Sequence, residues 1–565
     1  MSLPTALHVG LEEKDKKLLD LVLTEDEQIL NRAVNILKES AELVGRKSDI
    51  TLMKHQTIPI LMMQVSKRVF NGFSPGIGKT YSSCGAYALY RTKCINKGIK
   101  PKKLLLVTEG THVKGMESDF NRGGVKLYPL FGGSHKIDVQ LRKANNESKG
   151  LNLEEDYDGI VTSWSSLKTN AFLEYYMEHV SEYKFGIFDE TACLMGTKAL
   201  LYDVTNSIVN KYDNGMEYVM FLNGTAFGKN IYDIYNQFKI LRPRLIPNKR
   251  WIDDNYVIKE NREIWGTQLF NNNGSANKRT VVRKVGDIVD YKNQEEFRHK
   301  MRYYYIHKNK SDIKGELPTH NYKLHMMPLT PKLKKEIETG GAMSIHSINS
   351  PGTSNSKAKM TRTAYPKLDY LINRFKETES DRPIIYCLNK SSMGEIKGYL
   401  EKEGYSVGIL NGEVKTLDKD KVIKDFNNGR LDTIILNTEK AINLPTSDRI
   451  IFYNIPSSPL STNQIKARID RNNYTDPKFY DFLCYEDSPE VGYIARLGFF
   501  REKHGTLLTG QGEDNVYHEL IEQLKEYYDR EVVEEVGNVL DKVDGVKVSW
   551  ESVEKEVYDL LGVKV

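Results

Sequence analysis

The sequence predicts an α/β protein built as two tandem halves, each on a parallel sheet, with helical segments at both ends. Three observations carry this. Short continuous apolar runs bounded by polar residues recur through residues 103–225 and again through 384–484, as expected of strands buried on both faces. Helical stretches such as Met393–Lys402 and Lys419–Phe426 alternate with them. A glycine-rich turn ahead of a helix, Phe73-Ser-Pro-Gly-Ile-Gly-Lys-Thr80, occurs in the first half and has no counterpart in the second.

A chain of 565 residues exceeds one core, so about two to four domains are expected. With 39% hydrophobic and 28% charged residues, the composition is that of an ordinary globular protein. No apolar run approaches the ~20 residues of a membrane span, and the first residues lack the basic start of a secretory signal. The five cysteines are scattered and never in C-x-x-C spacing, which predicts a reducing, cytoplasmic setting without disulfides or zinc. The net charge of +5 hides an asymmetry: Gln511–Val565 holds 15 acidic and 6 basic residues, a net of −9, leaving +14 on the rest. A basic body with an acidic tail fits a polyanionic partner better than a membrane.

Residues 1–48 form an N-terminal helical segment, with Thr24-Glu-Asp-Glu27 as a capping box ahead of Ile29, Leu30, Ala33 and Val34. The first α/β half spans 49–240. Gln56 stands about twenty residues before the glycine turn, where an amide suits an adenine edge. In the turn itself, Gly76 and Gly78 free backbone N–H groups to close on phosphate oxygens. Lys79 reaches the β/γ-phosphates, and the Thr80 hydroxyl is a ligand for Mg²⁺. The helix after it turns its positive end to the same place. Strands are expected at Lys103–Thr108, Val125–Phe131, Tyr157–Ser163, Phe185–Glu190 and Tyr218–Thr225. The fourth ends in Asp189 and Glu190. A carboxylate at the C-terminal edge of a parallel sheet sits at the ligand crevice. Asp189 is placed to hold Mg²⁺ and Glu190 to orient or deprotonate a water.

Residues 241–335 read as a basic, aromatic helical insertion. Arg242–Glu316 holds 17 Lys/Arg against 10 Asp/Glu, with Trp251, Tyr256, Trp265, Phe270 and Tyr303–Tyr305 interleaved, and Asn271–Asn277 as a loop. Residues 336–364 are a linker rich in Ser, Gly, Pro and Asn. The second half, 365–490, has strands at Ile384–Cys387, Ser406–Leu410, Thr433–Leu436, Arg449–Tyr453 and Tyr480–Cys484. Its chemical run is Gln464-Ile-Lys-Ala-Arg-Ile-Asp-Arg471. Arg468 and Arg471 share a helix face, and a guanidinium suits a γ-phosphate in transition. Residues 491–565 are an acidic helical C-terminal extension.

Gln56, Gly78-Lys79-Thr80, Asp189-Glu190, Gly224-Thr225 and Gln464…Arg468…Arg471 come in the order of the superfamily 2 helicases and translocases. The chain resembles the Swi/Snf-type double-stranded DNA translocases most. Asn223-Gly-Thr-Ala226 followed by Asp233-Ile-Tyr-Asn-Gln-Phe-Lys-Ile-Leu-Arg-Pro243 is similar to that family's Gly-Thr-Pro motif and its Leu-Arg-Pro helix. Glu316-Leu-Pro318, Tyr365-Pro-Lys-Leu-Asp369, Leu410-Asn-Gly412 and Thr438-Glu-Lys-Ala441 resemble its later segments.

The resemblance implies two RecA-like lobes and a DNA-stimulated ATPase using ATP and Mg²⁺, with Gln464 and the two arginines completing the nucleotide site. It also implies that Thr108, Ser163, Thr225, Asn389 and Thr438 face the nucleic-acid backbone. A strand-separating or branch-migrating helicase acting on DNA or RNA is the alternative, and an ATP-dependent nucleic-acid clamp the second. Four departures stand out: Phe73 in place of the first loop glycine, Asp-Glu-Thr-Ala192 for Asp-Glu-x-His, Ala226 for Pro, and a shortened glycine segment at Ile442. A bare two-lobe motor suggests a phage, viral or bacterial member, with any protein partner meeting its terminal helices.

Overall fold

The computed structural model describes residues 11–144, 153–196, 200–224, 231–270, 276–309, 312–313, 319–340, 349, 361–377, 382–414, 416–437, 444–456, 459–469, 476–488, 490–492, 494 and 516–528. The chain divides into two compact units, Met1–Asn255 with Asn293–Lys314, and Tyr256–Lys292 with Gly315–Val565.

The first unit opens with the helices Glu13–Leu23, Glu27–Asn31 and Ile36–Glu42. The expected cap moves by two residues. Thr24 ends the first helix and its hydroxyl turns back to the Leu21 carbonyl, while Asp26 accepts the Ile29 N–H at 3.1 Å and starts the second. Buried Arg91 donates to the Ser40 carbonyl and to Asp158, both at 3.0 Å, and Arg46 meets the same carboxylate. This pair of ion pairs ties the third helix to the sheet behind it.

That sheet has seven strands: β1 (Arg68–Asn71), β2 (Lys103–Thr108), β3 (Leu127–Pro129), β4 (Gly159–Ser163), β5 (Tyr183–Asp189), β6 (Tyr218–Leu222) and, further along the chain, a short strand at Tyr305–Ile306. Their order is β3-β4-β2-β5-β6-β1 and then the 305–306 strand, and every pairing is parallel. Strand β1 is absent from the sequence reading. It is only four residues long and begins with Arg68, which is fully buried. The guanidinium donates to the carbonyls of Met216 at 2.6 Å, Val209 at 3.1 Å and Leu241 at 3.2 Å, and to Asn210 Oδ1 at 2.7 Å. Only tertiary partners make an arginine acceptable there.

The basic insertion is corrected in character. Helices Lys249–Tyr256 and Gln294–Met301 flank it, but its centre is an antiparallel ribbon of β7 (Val257–Phe270) and β8 (Ala276–Tyr291). The run Thr280-Val-Val-Arg-Lys-Val-Gly-Asp-Ile-Val-Asp-Tyr291 is rich in β-branched residues, which suits a pleated pair. With Tyr305–Ile306 as β9, the second unit carries β10 (His320–Met327), β11 (Ile384–Tyr386), β12 (Val407–Leu410), β13 (Thr433–Leu436), β14 (Arg449–Phe452) and β15 (Lys478–Tyr485). These form a six-stranded parallel sheet in the order β10-β15-β14-β11-β13-β12.

Alternate side chains of this sheet feed two apolar layers: Tyr386, Phe452 and Phe482 on one face, Cys387, Tyr453 and Leu483 on the other. The second layer closes over a buried ion pair. Lys367 bonds both Glu490 oxygens, at 2.6 and 2.7 Å, together with Asn349 Oδ1 and the Tyr453 carbonyl. The helix Val516–Leu524 belongs to the first layer through Val516, Leu520, Ile521 and Leu524. Its Gln523 amide donates to the Tyr322 carbonyl at 3.0 Å and accepts from the Leu324 N–H at 2.8 Å. A side chain here satisfies the open edge of β10 as a neighbouring strand would.

Candidate functional site

Strand β1 delivers the glycine turn to the C-terminal edge of the first sheet. Asn71, its last residue, is buried and accepts the Phe73 N–H at 3.2 Å, which bends the chain out of the strand. Gly76 and Gly78 have φ of 87° and 93°, a region L side chains avoid. At Gly78 a Cβ would stand 1.9 Å from Gln56 Nε2, so space as well as backbone requires glycine. Lys79 opens the Lys79–Asn96 helix, and its ammonium donates to the Phe73 carbonyl at 2.7 Å. Thr80 lies in the first turn of that helix.

Gln56 sits at the head of the Lys54–Ser66 helix. Its Oε1 accepts the Met53 N–H at 3.0 Å, and its Nε2 donates to the Ile77 carbonyl at 3.3 Å. Its amide thus holds the phosphate loop and the helix start together.

The other side of the site is the end of β5. Asp189 is 5% exposed, and its Oδ2 accepts the Thr108 hydroxyl at 2.7 Å. Burial, and then the neighbouring Glu190 charge, push the Asp189 carboxyl up to about 7; the Thr108 hydrogen bond and Lys79 oppose them. Trp164 Nε1 donates to the Asp189 carbonyl at 2.8 Å and fixes the strand end. Glu190 has φ of 52°, an uncommon conformation for a side-chain-bearing residue. Thr191, the third residue of the acidic box, donates to buried Gln237 at 2.8 Å and so joins the box to the Ile231–Leu241 helix.

Strand β6 lies between β1 and β5 and is followed by Asn223-Gly224. A Cβ on Gly224 would meet Pro75 at 2.9 Å and Lys79 Nζ at 3.4 Å. One sheet edge therefore gathers the loop, Lys79, Gly224 and the acidic pair.

The donor set fits a divalent cation bound with a nucleotide. Among the described residues no cluster of three or more His, Cys, Asp or Glu could hold a metal alone. A hydroxyl and one or two carboxylates suffice where phosphate and water complete the shell. A cation would also relieve the like charges that disfavour ionised Asp189 beside Glu190.

Two expected nucleic-acid contacts are corrected. Thr108 is fully buried with its hydroxyl engaged by Asp189. Ser163 is 2% exposed, and its hydroxyl bonds Ser165 at 2.9 Å and Ser166 at 2.7 Å. The resemblance implied that both hydroxyls face the nucleic acid, but Asp189 engages one and Ser165 and Ser166 the other.

In the second unit, Asn389 follows β11 at the start of the Lys390–Lys402 helix, and its Nδ2 is buried with no hydrogen-bond partner among the described residues. Gln464 is half-buried on the Pro459–Lys466 helix. Arg468 falls just beyond that helix, 8% exposed, and its carbonyl accepts the Leu444 N–H at 3.0 Å. Arg468 thus stands in the turn that follows the helix. Arg471, Thr225 and Thr438 lie outside the described residues. The sequence reading passed over His55, Asn71 and Trp164. A histidine beside a glutamine, an asparagine before a turn and a tryptophan after a strand each carry no signal by themselves.

Residues 366–473 match the helicase conserved C-terminal domain. The chain is 29% identical over 93 residues to the ATP-dependent RNA helicase DBP5 of Saccharomyces cerevisiae, covering 16% of this chain and 19% of that protein. It is 27% identical over 133 residues to a SWI/SNF-related matrix-associated actin-dependent regulator of chromatin, subfamily A containing DEAD/H box 1 homolog, of Caenorhabditis elegans, covering 23% and 13%. The chain thus spans about a fifth or less of the length of these curated relatives. A solved Sulfolobus solfataricus SWI2/SNF2 ATPase core in complex with double-stranded DNA aligns over 84% of this chain and 96% of that one, at 16% identity and a TM-score of 0.33. The chain thus carries a match to the helicase conserved C-terminal domain in its second unit, beside the glycine turn and acidic pair gathered at one sheet edge of the first.

Proposed function

We propose that this chain is a nucleic-acid-stimulated ATPase that moves along double-stranded DNA. The observation that supports it is the convergence of Lys79, Gly224 and the Asp189–Glu190 pair on the C-terminal edge of one parallel sheet. In this reading the loop amides and the helix start hold the β/γ-phosphates, and Lys79 leaves the Phe73 carbonyl to meet them. Thr80 and Asp189 would hold Mg²⁺, which when bound neutralises phosphate charge. Glu190 orients the attacking water and takes its proton. Arg468 and Arg471 supply positive charge to the departing γ-phosphate. Thr225, Asn389 and Thr438 are the proposed backbone contacts, which carry no sequence information. Strong salt dependence follows from such binding.

The second reading is a strand-separating helicase acting on RNA or DNA, favoured by the helicase names among the relatives. Steady-state ATPase assays with duplex DNA, single-stranded DNA and RNA, paired with triplex- and strand-displacement assays, separate the two. Stimulation by duplex DNA with triplex displacement is the expected result. Strand displacement on RNA would favour the second reading. Hydrolysis unchanged by any nucleic acid would overturn both.

A further inference from the structure

We propose that His55 is a positioning residue of the phosphate loop, paired with the phenylalanine that stands where a loop glycine is usual. The proposal rests on the nucleotide-site reading above. His55 Nε2 lies 2.9 Å from the Ile77 carbonyl, the residue immediately before Gly78. A carbonyl only accepts, so Nε2 carries the proton and donates. The imidazole is 7% exposed, and burial holds its pKa below the ordinary histidine value, so the neutral ring with Nδ1 unprotonated is the resting form. Its ring packs against Phe73, centroids 5.8 Å apart and planes tilted by 53°. Phe73 is itself fully buried.

The consequence lies in the peptide plane. A trans peptide points its C=O and N–H in opposite directions. Holding the Ile77 carbonyl on the His55 side therefore turns the Gly78 N–H to the other side. Gln56 Nε2 bonds the same oxygen at 3.3 Å, a longer contact, so His55 is the closer of the two holds. In a loop with glycine at position 73, backbone sterics alone would leave the turn looser. Here a bulky side chain locks the ring that locks the carbonyl.

His55→Ala, His55→Gln, Phe73→Ala and the double variant His55→Ala/Phe73→Ala test this, with Lys79→Ala as the control for the site itself. Fluorescent ADP and ATP analogues give affinity, and steady-state assays give KM and kcat with nucleic acid present. His55→Ala should weaken nucleotide affinity and raise KM about tenfold, the equivalent of one net hydrogen bond, with kcat changed less than threefold. His55→Gln, which keeps an N–H donor, should recover most of the loss. The double variant should be little worse than His55→Ala, because Phe73 acts through the ring. Unchanged affinity in His55→Ala, or recovery absent in a folded His55→Gln, overturns the proposal. If instead Lys79→Ala binds and hydrolyses like the parent, the nucleotide-site reading itself fails. Thermal melting of each variant separates a folding defect from a loop defect.

Discussion

The Thr108 hydroxyl donates a 2.7 Å hydrogen bond to the Asp189 carboxylate, joining the C-terminal ends of β2 and β5 beneath the proposed nucleotide. It opposes the burial and the Glu190 charge that push Asp189 up to about 7 from 3.8. A carboxyl raised in the folded state favours folding while protonated. That contribution is complete below the unfolded value and is lost as pH rises through about 7. Without nucleotide or divalent cation, urea denaturation should therefore show lower stability at pH 8 than at pH 6. Asp189→Asn should flatten the difference, and Thr108→Val should extend it to higher pH. Parallel pH dependence in the parent and Asp189→Asn would remove Asp189 as its source.

Such a contact was beyond the sequence, although its partners were not. Lys103–Thr108 reads as a buried strand because six residues in a row are apolar or at a strand end, and all six are buried. Asp189 reads as a site residue because it ends a strand. That Thr108 points at Asp189, and not at solvent, depends on which strands are neighbours. Strand β1 and the β7–β8 ribbon show the same limit. Arg68 is stable inside only because distant carbonyls surround it, and the ribbon is defined by the pairing of its two strands, whose apolar residues do not alternate. The phosphate loop was legible because its backbone demands are local: Gly76 and Gly78 adopt the positive φ that glycine permits. His55 was not, since its function is defined by a carbonyl 22 residues away.

Lys79→Ala should reduce turnover by about two to three orders of magnitude, the usual loss of a preorganised charge donor, while leaving the melting temperature within a few degrees. Glu190→Gln should instead retain bound ATP and fail to hydrolyse it. Rapid filtration with labelled ATP measures both. A Glu190→Gln protein that hydrolyses at the parental rate would dismiss its role as the base.

Lys367→Met should destabilise the second lobe by about 3–5 kcal/mol, because it strands Glu490 as a buried charge. Lys367→Met/Glu490→Leu should recover much of that loss, since no charge then remains inside. Urea midpoints of Lys367→Met, Glu490→Leu and the double decide it; a double variant worse than both singles would show that the pair is worth more than its apolar replacement.

Arg471→Ala should lower kcat by about 10³ to 10⁵ while ATP and DNA affinities stay near normal, as expected of charge supplied to a transition state. Arg468→Ala should behave alike. The buried position of Arg468 adds a second readout: its removal should also lower the melting temperature of the lobe. Parental turnover in both variants would make them ordinary structural residues.

An acidic C-terminal region on a basic body would compete with DNA for that body, and the structure dictates where it can be cut. From Gln511 the chain carries 15 acidic and 6 basic residues, but Val516, Leu520, Ile521 and Leu524 are core of the second lobe and Gln523 satisfies the β10 edge. Tyr528 continues the attachment by accepting the Asp487 N–H at 2.9 Å. A truncation at residue 511 should therefore unfold or aggregate the lobe, exposing both a hydrophobic layer and an unpaired strand. Ending the chain after Tyr528 removes 10 acidic and 5 basic residues, a net of −5, and keeps every one of those contacts. This shorter protein should melt as the parent does and bind duplex DNA more tightly at low salt, with the gain fading as salt screens the charges. Unchanged affinity at every salt concentration would show that these residues do not compete with DNA.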